Sequence, residues 1–443
     1  MRTETGKLKL MRLMYLVLTA WLNTAVAQAG DITALVGGQI IDGIKDKALR
    51  QGVILVEGER IVGITTSESI PAGAHIVDLN GATLLPGLID SHAHPLMSGD
   101  DYQNRHVQES SAYKVLKGHK AMKNLMAAGW TTLRVVGDAD VYYGNQDIKR
   151  LIEEGVLVGP RLFGAAHYLS ITGGGGDINY YSPEQHPVAD GLIVDGVEEI
   201  RKAIRTEAKY GSDWVKVLVT GAFMSVGDSP KAVQFSEEEF RAIMAEANRQ
   251  GMPVMAHAHA VEGIKMAVRL GARSIEHGTY LDDEAIRLMR KHGTYLVPTL
   301  YIGDYYDDPR NNLRQQAVFD DFKVTYRDTF LANVGKAHRA GVKVVVGVDL
   351  GGYDYDPTVF VRELETLMKI GMSAMETIQA ATSVPAEMLG QKGQIGTIEA
   401  GALADIIAVT GDPLGDINEL ERVKFVMTNG VIRKNTMANK ELD

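Results

Sequence analysis

The sequence predicts an α/β chain: a parallel (β/α)8 barrel in the middle, with short antiparallel strands at both ends. Three observations carry that expectation. Apolar, strand-like segments recur eight times along residues 84–349. Amphipathic helical stretches separate most of them, the alternation that builds a parallel sheet. Polar residues fall repeatedly at the C-terminal ends of those segments, where a barrel enzyme carries its site.

From the N-terminus, Arg2, Lys7, Lys9 and Arg12 precede the apolar run LMYLVLTAWL, and Ala25-Val26-Ala27 follows it. Residues 1–27 therefore read as a signal peptide, with a membrane anchor or amphipathic arm as the alternative. The run is short for a membrane span. Cleavage would release a periplasmic or secreted protein with no membrane span. Residues 31–85 then carry the β-like segments ITALVGGQIIDG, GVILVEGERIVGI and ATLLPGLI, parted by glycine-containing turns.

The barrel is expected over 86–393. Its strands are LLPGLIDSH, TTLRVVG, RLFGAAHYL, WVKVLV, PVMAHAH, RSIEHG, TYLVPTL and VKVVVGVD. Helices such as EEEFRAIMAEANRQG and EGIKMAVRLGA flank the fifth. An open doubly wound sheet is the alternative, but no GxGxxG follows the first strand. Residues 394–437 close the chain with GQIGTIEAGALADIIAVTG and VKFVMTNGVIRK, again β-like.

Composition narrows the function. The 443 residues are 45% hydrophobic and include no cysteine. Disulfides, thiolate nucleophiles, iron–sulfur clusters and cysteine-ligated zinc are excluded, so any metal must be held by nitrogen and oxygen. A formal charge of −10 argues against a surface that tracks nucleic acid. GxSxG is absent, which leaves a serine-hydrolase elbow unsupported.

His92 and His94 end the first strand at i and i+2, on one face. Two imidazoles aimed together suit a transition metal. Lys216 lies inside the fourth strand, His257 and His259 end the fifth, His277 the sixth and Asp349 the eighth. Singly, each has a plain explanation: a hydrogen-bonded histidine, a snorkelling lysine, an aspartate capping a turn. Together they fall at one end of one barrel.

At these residues the chain resembles the amidohydrolase superfamily, in its two-metal members. GLIDSHAHP is similar to the first-strand motif, SIEHGT to the sixth and GVDLGG to the eighth. ADIIAV and NGVIRK resemble a small β-sandwich built from both chain ends. The resemblance implies two divalent ions, zinc by expectation. His92 and His94 would hold the buried ion, His257 and His277 the more exposed one. Lys216, as N6-carboxylysine, would bridge them. Asp349 would touch the buried ion and accept a proton from the attacking water. The physics agrees with the bridge: a carbamate offsets the charge of two cations that an ammonium would oppose. Burial between Val215 and Val217 favours the neutral amine that reacts with CO₂. A one-metal, deaminase-type site with a structural Lys216 is the alternative.

AHAH followed by SIEHG resembles the branch of imidazolonepropionase-like proteins, Xaa-Pro and other dipeptidases, and ochratoxin-degrading amidohydrolases. The expected substrate is a small amide: a dipeptide or N-acyl amino acid with a free α-carboxylate, a class that includes ochratoxin A. Cyclic-amide hydrolysis, or a non-catalytic barrel scaffold, are the other readings. TGGGGD has glycine where relatives often carry a histidine. His167 and His259 are then candidates for catalysis and for the substrate carbonyl, and Tyr142 and Tyr143 for the substrate carboxylate. Each of these four has an equally good structural reading. Arg134 reads as an internal residue. An oligomer of identical chains is expected.

Overall fold

The computed structural model describes residues 31–97, 102–140, 142–307, 323–351 and 356–437. The signal-peptide reading of 1–27 lies outside them.

Two parallel sheets form the centre. One has three strands, Arg161–Ala165, Trp130–Val136 and Leu88–Ala93, in that order. The other runs Leu192–Ile193, Tyr168–Ser170, Val215–Leu218, Val254–Ala258, Ser274–His277 and Tyr295–Val297. Most of these strands are buried along their whole length, as a sheet covered on both faces requires. Helices such as Val197–Lys209, Glu237–Gln250, Val261–Leu270 and Asp283–His292 intervene. Local sequence sets their limits. Ser236 and Glu239 form a reciprocal capping box at the start of Glu237–Gln250, and Gly251 in the left-handed region ends it.

Three predicted strands differ from expectation. The first divides at Gly87. Thr83–Pro86 joins an end sheet and Leu88–Ala93 the parallel one. A Cβ at Gly87 would sit 2.0 Å from Thr131 Oγ1, so the switch needs glycine. The third divides too: Arg161–Ala165 pairs with Trp130–Val136, whereas Tyr168–Ser170 pairs with Val215–Leu218. Between them the amides of Ala166 and His167 leave the ladder for Glu207 Oε2, at 3.0 and 3.2 Å.

The eighth, VKVVVGVD, forms only an isolated parallel bridge, Leu296↔Val344. It still hydrogen-bonds on both sides. Val345 N donates to Leu296 O, Ser91 N to Val346 O and Asp349 N to His92 O. Two of its amides are diverted: Val346 N goes to Ala380 O and Val348 N to the Asp90 carboxylate. That diversion breaks the ladder.

Both chain ends build two further sheets. Arg60–Thr65, Val53–Glu57, Ile32–Val36 and His75–Asp78 form one. The other holds Val431–Asn435, Phe425–Thr428, Ile406–Val409, Thr83–Pro86, Gln39–Ile40 and Leu49–Arg50. Leu35, Ile54 and Ile61 from the first pack with Leu84, Ile406 and Phe425 from the second in one apolar core. No helix among the described residues is long and apolar enough to cross a membrane.

Candidate metal centre

The strand ends converge on one cavity. His92, His94, Lys216, His257, His259, His277 and Asp349 all line it. Six of them fall into two groups whose ligand atoms lie within 4.8 Å of one another: His92, His94 and Asp349, and His257, His259 and His277. Asp349 Oδ1 is 3.4 Å from His92 Nε2 and 3.2 Å from His94 Nε2. Its Oδ2 reaches to 3.9 Å from His277 Nδ1, so the aspartate touches both groups.

Hydrogen bonds behind the rings fix three tautomers. The Glu276 carboxylate accepts from His92 Nδ1 at 2.8 Å. The Gly137 carbonyl accepts from His94 Nδ1 at 2.5 Å, and the Gly221 carbonyl from His257 Nε2 at 3.2 Å. These partners only accept, so the other nitrogen of each ring keeps its lone pair. His277 Nδ1 and His259 Nδ1 meet the hydroxyls of Thr299 and Thr279, each at 2.8 Å.

The electrostatics also suit a cation. Burial, together with neighbouring His259 and Lys216, holds His257 well below the usual imidazole range. Burial lowers His277 likewise, and brings His259 to about 3. The rings are therefore neutral near pH 7, the form that binds a metal. Burial alone would raise Asp349. The imidazoles of His92 and His94, whose Nε2 atoms lie 3.4 and 3.2 Å from Oδ1, outweigh it, leaving the carboxyl well below its ordinary value. Lys216 is 2% exposed, and burial lowers it to about 8.

Residue fit can be judged from the chain itself. His92 Nε2 is buried without a hydrogen-bond partner among the described residues, although its other nitrogen is committed. A lone pair buried in this way, beside a carboxylate and a second imidazole, suits a bound divalent ion. Three residues of the site also hold left-handed backbone: His277 (φ 68°), Thr299 (52°) and Asp349 (60°). For a β-branched residue such as Thr299 that is unusual, and such strain gathers at functional sites.

Three candidates lie elsewhere. His167 is fully buried outside the cavity. Its Nδ1 bonds Glu207 at 2.8 Å and its Nε2 the Asp140 carbonyl at 2.5 Å, leaving no nitrogen for substrate. Tyr142 is 74% exposed and lines a separate surface groove with Tyr143 and Tyr210. Burial, with Glu207 beside it, raises the Tyr143 phenol. His259 does reach the cavity, packed against His277 with ring centroids 4.9 Å apart.

Sequence reasoning missed Glu276, which also accepts from Arg134 at 2.7 Å and Ser274 at 2.5 Å. A signal existed: a buried guanidinium such as Arg134 requires a carboxylate nearby. Tyr102 and Gly175, from the segments after the first and third strands, were likewise unassigned and line the cavity.

Parallel β/α units with imidazoles and a carboxylate gathered at the C-terminal strand ends define a class of α/β protein with a candidate metal centre at one end of its sheets. Comparison with known proteins makes this specific. The model of the Amidohydrolase family matches residues 83–433, and the chain belongs to that family. Ochratoxinase of Aspergillus niger is 30% identical over 430 residues, covering 89% of this chain and 84% of that protein. An imidazolonepropionase of Geobacillus sp. (strain WCH70) is 25% identical over 415 residues, covering 86% and 90%. The structure of a Xaa-Pro dipeptidase with bound methionine superposes with a TM-score of 0.84 at 32% identity, covering 91% of this chain and all of that one. These likenesses place the chain in the expected branch and imply a TIM-like barrel and hydrolase activity.

Proposed function

We propose that this protein is a two-metal amidohydrolase that cleaves the amide of a dipeptide or N-acyl amino acid with a free α-carboxylate. The observation that carries the reading is one cavity lined by His92, His94, Lys216, His257, His277 and Asp349. Two divalent ions, zinc in our reading, would be held by His92, His94 and Asp349 and by His257 and His277, with carboxylated Lys216 between them, and would supply an activated water and a polarised carbonyl. Carboxylation joins the neutral Lys216 amine to CO₂ and releases one proton from its nitrogen to solvent.

The other steps belong to side chains. Asp349, held ionised by its histidine neighbours, takes a proton from the attacking water and passes it to the leaving nitrogen. His259 is neutral. With the Thr279 hydroxyl donating to its Nδ1, its Nε2–H is free to donate to the substrate carbonyl oxygen. Phe223, Met224, Ile302 and Phe330 give the cavity an apolar wall that suits an aromatic or aliphatic substrate side chain. The printed names of relatives, ochratoxinase and Xaa-Pro dipeptidase, support this substrate class.

Four structural readings accompany the proposal. The two parallel sheets close as one eight-stranded barrel, supported by the hydrogen bonds of residues 342–351 to both neighbours. The end sheets form a β-sandwich, supported by their shared core. The chain is exported after removal of residues 1–27, which N-terminal sequencing of the mature protein tests. It assembles with copies of itself, which sedimentation tests.

A screen of zinc-loaded enzyme against dipeptides, N-acyl amino acids and cyclic amides tests the function. Turnover confined to acyclic amides with a free carboxylate supports it. Turnover confined to ring amides replaces it with the imidazolonepropionase-type reaction. About two metal equivalents per chain are expected, and a single equivalent at full activity sinks the two-metal reading.

A further inference from the structure

The segment from Gly137 to Asp140, just past the Trp130–Val136 strand, offers three backbone carbonyls to four buried side chains, His106 sharing the Ala139 carbonyl with Lys114. Gly137 O accepts from His94 Nδ1, Ala139 O from Lys114 Nζ and Asp140 O from His167 Nε2, each at 2.5 Å. Those donors come from three elements: the end of the first parallel strand, the Ser111–Ala127 helix and the kink in the third strand.

Each support is itself braced. Lys114 Nζ also lies 2.8 Å from His106 Nδ1, which itself lies 2.9 Å from the same Ala139 carbonyl, and His106 Nε2 is 3.1 Å from Val188 O. His167 Nδ1 donates to Glu207; burial would lower the ring's pKa, but the Glu207 hydrogen bond and charge outweigh it and raise it. Asp138 accepts from Leu96 N and from Asn145 Nδ2, both at 2.8 Å, which ties the segment back to the His94 turn. Gly137 has φ +93°, and a Cβ there would lie 2.7 Å from the Tyr168 ring and amide. Burying a lysine and a paired imidazole is costly, and the proposed chemistry uses neither.

We infer that Lys114 and His167 are positioning residues: they clamp the Gly137–Asp140 backbone so that the Gly137 carbonyl fixes the ring of His94, with Nε2 aimed toward Asp349. The inference borrows from the proposed function only the idea that His94 binds a metal. Ring orientation and tautomer decide ligand quality, and loss of such outer partners typically costs about 10–100-fold in metal affinity.

Two readouts test it on the full chain. In metal-free, ¹⁵N-histidine-labelled protein, the Nδ1–H of His94, assigned with His94→Asn, should be protected from exchange. That protection should vanish in Lys114→Met and in His167→Ala. It should return in His167→Gln, whose amide still donates to the Asp140 carbonyl. Zinc affinity, measured by chelator competition, should fall about 10–100-fold in the first two variants and recover in the third. Folded variants with wild-type protection and affinity would overturn the clamp. So would failure of all three to fold, which would make these residues determinants of global stability. A wild type that binds no metal would instead defeat the proposed function, while the exchange readout would still decide the clamp.

Discussion

The His92–His94–Asp349 group and the His257–His259–His277 group share one cavity but are built differently. In the first, both ring hydrogens meet full acceptors, Glu276 and the Gly137 carbonyl, and two carboxylates bring negative charge. In the second, three rings pack on one another with centroids 4.6 to 4.9 Å apart. Two of their Nδ1 atoms meet threonine hydroxyls, which can donate or accept. The first group is thus preset for a cation by charge and tautomer, the second chiefly by burial. Lys216 is coupled to both: its charge lowers His257 and His259, while Glu276 and Asp349 raise its own pKa.

The largest effect should come from Lys216→Ala, which severs that coupling. Its activity loss should exceed the ~10⁴-fold ceiling for losing one acid–base group, with the fold retained by circular dichroism. Wild-type-like turnover would make the lysine structural and the two groups independent. Asp349→Asn removes the base while keeping its shape, so kcat should fall about 10²–10⁴-fold with KM little changed. Retention of more than about a tenth of kcat, outside that range, would pass the role to His259.

Glu276→Gln sharpens the contrast, because the ring that Glu276 hydrogen-bonds, His92, belongs to the first group. If two ions bind as proposed, one of the two affinities should weaken by about 10–100-fold in chelator titrations. Equal weakening of both would dissolve the distinction.

Acid should separate the groups in metal-free protein. His259 falls from 6.5 to about 3 on folding, so the unfolded chain takes up a proton that the native one refuses. Its stabilising contribution is present above pH 6.5 and is lost as pH falls toward 3. Glu276 falls from 4.5 to about 2, net of a burial effect that opposes the Arg134 charge and the His92 hydrogen bond. Its contribution is lost only below about pH 4.5, toward 2. Urea midpoints should therefore fall in two stages, and His259→Phe should remove part of the upper one. The smallest effect belongs to Tyr142→Ala, on the exposed groove. Stability should change by no more than about 0.5 kcal/mol, and kcat/KM should hold.

What was legible in the sequence follows from chain order. His92, His94, Lys216, His257, His277 and Asp349 each interrupt an apolar segment, and strand periodicity alone brings them to one end. Their mutual distances needed the fold. His167 has the same signature, yet the third strand kinks at Ala166 and turns the ring toward Glu207, a partner 40 residues away that no local pattern reveals. Tyr142 and Tyr143 follow a strand end too, but Tyr143 adopts a left-handed turn that carries both to the groove. VKVVVGVD reads as a strongly apolar strand. Side-chain and helix acceptors take its amides, which composition does not show.

The depressed imidazoles also set a proton inventory. Rings that are already neutral at pH 7 give up no protons when an ion arrives, so the heat of loading at those positions should not depend on the buffer's ionisation enthalpy. Lys216 differs: a lysine titrating near 8 is mostly an ammonium at pH 7, and its conversion to a carbamate with bicarbonate as the source releases one net proton, because dehydrating bicarbonate to CO₂ consumes one of the two that the nitrogen loses. Proton release measured with and without bicarbonate would therefore count carboxylated lysines directly, independent of any substrate.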